Sequence, residues 1–350
     1  MKKITFYLTL PKIYLSFLLK RQKCGYLPIK LWIETTSRCN LECRLCANKD
    51  LPLNQKGDLG FELYKKIIDE AKNFVFDINL FHRGEPLLNK DLIKMIGYAE
   101  NNNLKTRLHT NATILTQEIS KRLILSGLDF ISFSFDGYSK ETYEKNRIGA
   151  DFDTTLQNII NFLKIKKELK SKTPYTVIQI MEFDENLTTE DFKAQKISFI
   201  NNFKNLPLNK IIIRKPHNWG GLIKIKDKNL ADINLSNNIK CGGIKNKYKL
   251  TRKANLTHST CTFPWYSLTI FYDGKVYLCP QDFNGKILIG DVSKDSIQDI
   301  FNNELIQKVR LKFKNNNIND LSPCNKCDRI LRKTLLGVPT EYLRSFLNTK

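Results

Sequence analysis

Strand-like and helix-like segments alternate along residues 30–214, and this alternation limits the possible folds more than any other feature of the sequence. β-branched and aromatic residues are concentrated in six short runs, at 31–36, 76–81, 105–110, 129–135, 174–183 and 210–214. Apolar residues at helical spacing occupy the segments 61–74, 91–102, 116–127 and 152–169. Such a series predicts a parallel sheet with right-handed crossovers, and functional groups are expected at the carboxyl ends of its strands.

Three cysteines stand directly after the first of these strands. Cys39, Cys43 and Cys46 occupy the ends and the middle of only eight consecutive residues. Thiolates in proteins select zinc or iron–sulfur clusters, and structural zinc sites usually have four ligands. Three thiolates suit a cubane cluster whose fourth iron is left for a small molecule. Buried structural cysteines are the alternative, and three in so short a stretch do not favour it.

The composition describes a globular chain with a large basic excess. The net charge is +22, from 57 Lys and Arg against 35 Asp and Glu. The basic residues are spread along the whole chain without a dense block or a nucleic-acid-binding motif, so no nucleic-acid partner is expected. Nine cysteines in a chain of 350 residues, several in close pairs, are typical of metal ligands and of reduced cytosolic thiols. The predicted localisation is therefore cytoplasmic.

The spacing Cys-x3-Cys-x2-Cys after the first strand of a βα series resembles the radical S-adenosylmethionine (radical SAM) superfamily, over residues 30–330. The resemblance implies that Cys39, Cys43 and Cys46 hold a 4Fe–4S cluster. It also implies that S-adenosylmethionine (SAM) binds the open iron and is cleaved to a 5′-deoxyadenosyl radical. A reductant such as flavodoxin or ferredoxin would supply the electron.

Further motifs of this family follow the next strands in order. The segments "RGEP" (83–86), "TNA" (110–112) and "SFD" (134–136) are similar to its GGEP, Thr-Asn-Gly and Ser-x-Asp motifs, with Arg83 and Ala112 replacing glycines. A guanidinium from "YEKNRIG" (143–149) resembles the one that pairs with the cofactor carboxylate. The resemblance implies these cofactor-binding residues: Leu45, Gly84, Glu85, Pro86, Thr110, Asn111, Ser134, Asp136 and Arg147.

A second cysteine set lies near the end of the chain. The pattern Cys-x12-Gly-x4-Cys, followed by Cys-x2-Cys, resembles the SPASM auxiliary-cluster domain in its shortened "twitch" form. The resemblance implies a second 4Fe–4S cluster held by Cys261, Cys279, Cys324 and Cys327. By count alone a zinc site fits equally well. Cys24 and Cys241 have no partner spacing and are interpreted as structural.

These features predict an α/β fold with a partial (βα)6, TIM-like barrel and a small C-terminal α+β domain rich in cysteine. Asp273-Gly274 predicts a hairpin turn in that domain, and 297–313 predicts a helix. The expected divisions are an N-terminal basic and apolar extension (1–29), the core (30–214), a linker (215–260), the auxiliary-cluster domain (261–330) and a C-terminal helix (331–350). Pro11 and Lys12 interrupt the extension, which either packs on the core or lies on a membrane surface as an amphipathic helix.

A single auxiliary cluster with four cysteines resembles 2-deoxy-scyllo-inosamine dehydrogenase. The first functional hypothesis is therefore a radical SAM oxidoreductase that dehydrogenates a sugar-like small molecule, a carbohydrate or cyclitol. The alternatives are a maturase of ribosomal peptides or proteins and a zinc-stapled binding protein without enzymatic activity. His82, His109 and Glu182 stand at strand ends as candidates for contact with substrate or for proton transfer. The residues alone do not identify a catalytic base.

Overall fold

A computed structural model of the chain describes residues 2–182, 189–214, 217–223, 261–330, 334–335 and 338–339. Most of the expected linker at 215–260 lies outside these residues. Strands β1 to β6 are Lys30–Ile33, Asp77–Asn79, Lys105–Thr110, Phe130–Ser134, Tyr175–Met181 and Lys210–Arg214. Strands β7 to β9 are Ser267–Ile270, Lys275–Tyr277 and Leu288–Asp291. A short antiparallel pair, β10 (Thr334–Leu335) and β11 (Val338–Pro339), follows.

The first nine strands form one sheet in the order β6-β5-β4-β3-β2-β1-β7-β8-β9. All neighbours from β6 to β7 are parallel, and β8 is antiparallel to both of its neighbours, β7 and β9. The core strands are therefore continued, without a break in pairing, by the cysteine-rich C-terminal hairpin. This is the predicted α/β architecture, a parallel six-stranded core with a smaller domain at one edge.

Nine α-helices accompany these strands in the described residues. They are α1 (Lys2–Leu18), α2 (Phe61–Ala71), α3 (Leu92–Asn101), α4 (Gln117–Leu125), α5 (Lys140–Asn146), α6 (Phe152–Glu168), α7 (Glu190–Asn201), α8 (Ile297–Ile300) and α9 (Glu304–Lys314). Side-chain oxygens start several of them, for example Thr116 for α4 and Asp151 for α6. Helices α2 to α6 pack their buried apolar faces on the sheet in one large core.

Two predicted helices differ from the structure. The segment 297–313 is two helices, α8 and α9, because the side chain of Asn303 accepts from the amide of Ile306 and begins a new helix. The expected C-terminal helix at 331–350 lies mostly outside the described residues. Within it the structure has β10 and β11, in a stretch where Gly337 and Pro339 disfavour a helix.

The N-terminal extension forms α1, which continues through Pro11 and packs on the protein. Phe6 stacks on Phe76 with ring centroids 4.1 Å apart, and Phe17 meets Trp265 edge to face at 5.7 Å. The buried Arg310 donates to the carbonyl of Gln22 at 2.8 Å, which fixes the segment after the helix. Among residues with a described placement, no helix combines the length and apolar character that crossing a membrane requires.

Candidate active site

Cys39, Cys43 and Cys46 lie together in the loop after β1, half-buried and without disulfides. Burial raises the pKa of Cys39 to about 11 and that of Cys46 to about 12, and their interaction with Cys43 adds to both shifts. The guanidinium of Arg147 lies 3.8 Å from the sulfur of Cys43. Three neighbouring thiols with raised pKa values need a positive partner to ionise, and iron ions supply one.

Asparagine side chains fix this loop to the neighbouring strand ends. Asn48 donates to the carbonyls of Ser37 at 2.7 Å and Arg83 at 2.8 Å. The side chain of Asn111 donates to Asn40 at 2.9 Å. The sequence analysis missed Asn40 and Asn48, since each acts on residues distant in sequence and leaves no local pattern.

The 83–86 segment makes a close backbone contact with the cysteine loop. A Cβ on Gly84 would lie 2.3 Å from the carbonyl oxygen of Arg38 and 2.5 Å from that of Thr36, so only glycine fits. The amide of Glu85 donates to Arg38 at 2.8 Å. The next residue, Pro86, is buried and opens a short 3-10 helix, Pro86–Leu88.

The carboxylate of Glu85 joins the carboxyl ends of β2 and β3. It accepts from the hydroxyl of Thr110 at 2.7 Å, the amide of Asn111 at 2.6 Å and the amide of Leu87 at 3.1 Å. Burial raises the pKa of Glu85 in spite of these donors. Ala112 takes φ of +61°, so the turn after β3 has the left-handed conformation although alanine replaces the glycine.

Asp136 and Arg147 pair with each other. Nη2 of Arg147 lies 2.7 Å from Oδ2 of Asp136, and both side chains are buried. Oδ1 of Asp136 accepts from the amide of Met181 at 2.9 Å. The buried Nε of Arg147 has no hydrogen-bond partner, which leaves a donor for a ligand beside the thiols. Ser134, half-buried, ends β4 two residues before Asp136.

A tryptophan that the sequence analysis did not select borders the same loop. The indole nitrogen of Trp219 donates to the carbonyl of Leu45 at 3.2 Å. Its ring lies against His217 and Phe283, with centroids 4.4 Å and 5.2 Å away. Trp219 therefore connects the cysteine loop to the C-terminal domain.

Cys261, Cys279, Cys324 and Cys327 form a second group, which the antiparallel end of the sheet brings together. Burial raises the pKa of Cys279 well above its usual range, and the other three thiols raise it further. Burial likewise raises the pKa of Cys261 to about 11 and that of Cys327 to about 12. Cys279 and Cys324 are buried, and none of the four forms a disulfide.

Within the described parts of the chain, no three His, Cys, Asp or Glu side chains have the arrangement that one metal ion requires. A single zinc ion draws its sulfur ligands to about 3.8 Å from each other, because each Zn–S bond is about 2.3 Å. A cubane instead binds each sulfur through a different iron, so its thiolates stand farther apart. Both groups consist of thiols, which are ligands of zinc and of iron–sulfur clusters alike.

A buried charged group lies between the two cysteine sets. Arg83 donates to both carboxylate oxygens of Glu34, at 2.6 and 2.8 Å, and its guanidinium lies 3.8 Å from the ring centroid of Phe271. Burial alone would raise the pKa of Glu34, but the hydrogen bonds from Arg83, together with His82 3.7 Å away, outweigh it and lower the pKa to about 2. Nε2 of His82 lies 2.9 Å from the carbonyl of Pro280, the residue after Cys279.

The other candidates for contact with substrate are constrained by their neighbours. His109 stacks on Phe81 at 4.0 Å, and burial together with Arg214 and Arg107 lowers its pKa to about 3. Glu182 accepts from the hydroxyl of Tyr138 at 2.5 Å and pairs with Lys196 at 2.8 Å. Neither side chain contacts a cysteine of either set through a described hydrogen bond.

Two family models match the chain. The model of the radical SAM superfamily matches residues 33–186, and the SPASM model, an iron–sulfur cluster-binding domain, matches residues 261–328. These domains imply a SAM-binding 4Fe–4S cluster, SAM itself and a second, auxiliary 4Fe–4S cluster. The raised thiol pKa values, the unpartnered Arg147 nitrogen and the close contact at Gly84 fit these groups.

Curated relatives match parts of the chain. Fe-coproporphyrin III synthase of Methanosarcina barkeri is 33% identical over 135 residues, 38% of this chain and 33% of that protein. PqqA peptide cyclase of Granulibacter bethesdensis is 35% identical over 124 residues, 35% of this chain and 32% of that protein. The chain thus spans about a third of the length of these two relatives.

Solved structures share the fold at low identity. SuiB of Streptococcus suis, bound to its precursor peptide SuiA, has a TM-score of 0.61 at 15% identity, covering 86% of this chain and 70% of SuiB. BtrN in complex with AdoMet and 2-DOIA has a TM-score of 0.52 at 18% identity, covering 86% of this chain and 93% of BtrN. Both likenesses support the mixed α/β architecture, a partial TIM-like core with a C-terminal domain.

Proposed function

We propose that this chain, which contains a radical SAM domain and a C-terminal SPASM domain, oxidises a C–H position of a peptide or protein substrate. When bound, the SAM-binding cluster and SAM supply a 5′-deoxyadenosyl radical that removes a hydrogen atom, and the auxiliary cluster supplies an acceptor for the second electron. A flavodoxin or ferredoxin is the proposed reductant.

The observation that supports this proposal is that both sets of cysteines are positioned by one continuous sheet. Cys39, Cys43 and Cys46 follow β1, and the hairpin that pairs with β1 through β7 carries Cys279. Arg83 and His82, next to Gly84, reach the C-terminal domain through Phe283 and Pro280. A substrate between the two groups therefore has a site of hydrogen removal on one side and an electron acceptor on the other.

The chain's own residues have distinct proposed roles at this site. The three N-terminal cysteines hold the first cluster, and Gly84 lets the backbone pass close beside it. The Asp136–Arg147 pair supplies charge and a free Nε donor for the polar groups of SAM. Leu45, Ser134, Asn111 and the other motif residues line the same loop ends and are proposed to contact SAM.

Named relatives favour a peptide substrate. PqqA peptide cyclases from three organisms are 33–35% identical to this chain over about a third of its length. These names shift the first hypothesis from a carbohydrate to a peptide or protein.

Oxidation of a carbohydrate or cyclitol is the second candidate. The C-terminal domain has four described cysteines in one group, which suffices for one fully ligated cluster. A single auxiliary cluster with four cysteines is the feature by which the sequence resembles 2-deoxy-scyllo-inosamine dehydrogenase. A single electron acceptor is sufficient for a two-electron oxidation that begins with loss of a hydrogen atom.

The test is product analysis with anaerobically reconstituted full-length protein, SAM and a strong reductant. We expect 5′-deoxyadenosine from the wild type and from Cys24→Ala, which removes a buried thiol outside both groups. We expect none from the Cys39/Cys43/Cys46→Ala variant. Absence of 5′-deoxyadenosine from the wild type would contradict the proposal.

Candidate substrates are then compared by mass spectrometry. Short peptides encoded beside the gene form one panel, and sugars and cyclitols form the other. SAM-dependent loss of two hydrogens from a peptide would support the first candidate, and the same loss from a sugar would support the second.

A further inference from the structure

Helix α1 has two apolar faces, and the described residues cover only one of them. Its inner face buries Phe6, Ile13 and Phe17 against the protein. Large apolar side chains also lie on its outer face, with exposed fractions between 42% and 64%: Tyr7, Leu8, Leu15, Leu18 and Leu19. A helix that is apolar all round is normally buried on all sides.

The exposed residues follow the period of the helix. Positions 8, 12, 15 and 19 are separated by four, three and four residues, so they form one stripe. Five of the sixteen large exposed apolar side chains of the described residues belong to this one helix and the residue that follows it. Single exposed leucines are ordinary, but a contiguous group marks an interaction surface.

The charge around this stripe is entirely positive along the chain. Residues 1–33 contain seven Lys and Arg and no Asp or Glu. Lys12 lies within the stripe, and Arg21 and Lys23 are exposed just beyond its end. The buried carboxylate of Asp77 pairs with Lys30 at 2.6 Å. Its negative charge therefore does not offset the basic residues of the helix.

We infer that the outer face of α1 docks on an anionic lipid bilayer surface, with its leucines among the acyl chains and its basic residues at the headgroups. This combination of an apolar stripe and a basic rim is what such surfaces bind. A second copy of the chain is a poorer occupant, because two helices of like charge would face each other. The inference goes beyond the proposed function and does not rest on it.

Helix α1 packs beside the C-terminal cysteine group and lies away from the N-terminal cysteine loop. Phe6 packs on Phe76, which precedes β2. The same apolar cluster includes Ile29, which precedes β1, and Cys279, with Cys261 packed against it. Helix α1 therefore lies at the amino ends of the core strands, whereas the cysteine loop follows their carboxyl ends. Membrane binding and SAM cleavage can consequently be measured as separate properties of the same protein.

The experiment is co-sedimentation of full-length reconstituted protein with vesicles of phosphatidylcholine, with and without phosphatidylglycerol. We expect binding to the anionic vesicles that weakens with salt, and little binding to phosphatidylcholine alone. Leu8→Glu/Leu15→Glu should weaken partitioning by at least about tenfold, since it places two carboxylates among the acyl chains. Lys12→Gln, which leaves the apolar stripe intact, should weaken it by about fivefold.

The matched control is Leu53→Glu/Leu125→Glu, which adds the same charge at two leucines exposed elsewhere, 85% and 65% accessible. It should bind vesicles like the wild type. Iron content equal to that of the wild type shows that each variant is folded. Absence of wild-type binding, or equal loss in the control, would overturn the inference. It would also be overturned by a dimer in light scattering that Leu8→Glu/Leu15→Glu dissociates, since a second copy would then cover this face.

Discussion

The two cysteine groups differ in number, in burial and in how the chain assembles them. Cys39, Cys43 and Cys46 come from one loop and remain half-buried, with Arg147 3.8 Å from one sulfur. The C-terminal four come from positions spread between 261 and 327, and Cys279 and Cys324 are buried. The first group therefore has three half-buried thiols, whereas the second has four thiols, of which two are buried and two are half-buried.

Under the proposed function, this difference corresponds to two tasks of one reaction. An accessible cluster with an open iron can bind and cleave a small molecule, which is the chemistry of a radical SAM domain. An enclosed cluster with four protein ligands can exchange electrons without binding a ligand. The same fold supports both because the sheet passes directly from β1 to β7, so the two groups share one rigid support.

The largest expected effect comes from removing either group. Cys39/Cys43/Cys46→Ala should lower the iron content from about eight to about four per chain and abolish 5′-deoxyadenosine, because each cubane has four irons. Cys261/Cys279/Cys324/Cys327→Ala should lose the same amount of iron but still cleave SAM. Iron and sulfide analysis together with product analysis measure both. Equal loss of SAM cleavage in the two variants would remove the distinction between the groups.

Local patterns predicted much of this architecture. The strands at 105–110 and 210–214 have the bounds that the sequence indicates, because their β-branched runs end sharply. The hairpin turn at Asp273-Gly274 is also confirmed. Helices α5 and α7 and strand β9 were missed, since their short or weakly periodic segments carry no clear signal.

The site was predictable only where its residues are neighbours in sequence. The three cysteines form a recognisable motif because they lie within eight consecutive residues. Asn48 and Trp219, by contrast, act through hydrogen bonds to the carbonyls of Arg83 and Leu45, far along the chain. The pairing of Asp136 with Arg147 is likewise a tertiary contact, although each residue was selected for its own motif.

Arg83→Met should have the next largest effect, on both groups at once. It leaves Glu34 buried without its bidentate partner, which costs about 3–5 kcal/mol of unfolding free energy. Because Arg83 lies between the two cysteine groups, both clusters should be lost more readily. Chemical denaturation and iron retention after dilution measure the two effects.

Two further variants define the cause. Arg83→Met/Glu34→Leu should recover most of the stability, since an apolar pair leaves no buried charge. Lys140→Met breaks the exposed pair with Asp153, 2.8 Å apart, and should cost less than about 1 kcal/mol. A large loss in Lys140→Met would mean that the assay does not separate buried from exposed pairs.

Gly84→Ala should disturb the N-terminal group alone. Its Cβ would collide with the carbonyls of Arg38 and Thr36, and the backbone shift costs about 2 kcal/mol or more. We expect iron loss from the N-terminal cluster with the C-terminal cluster retained. Gly97→Ala in α3 is the control, because no atom outside its chain neighbours and its own helix backbone lies within 4 Å of the added Cβ. That substitution should stabilise the protein by up to about 1 kcal/mol.

The smallest effect is expected from replacing either of two histidines whose pKa is lowered. Burial lowers the pKa of His109 and of His217 to about 3, from 6.5. Below pH 6.5 the unfolded chain binds protons that the folded chain does not, so each histidine lowers stability by about 1.4 kcal/mol per pH unit down to about pH 3. His109→Phe keeps the ring stack with Phe81. It should reduce the pH dependence of the unfolding free energy by the contribution of one proton. His217→Phe should have the same effect. Denaturation midpoints between pH 5 and 7 measure both variants. An unchanged pH dependence of the unfolding free energy in either variant would contradict the neutral state of that histidine.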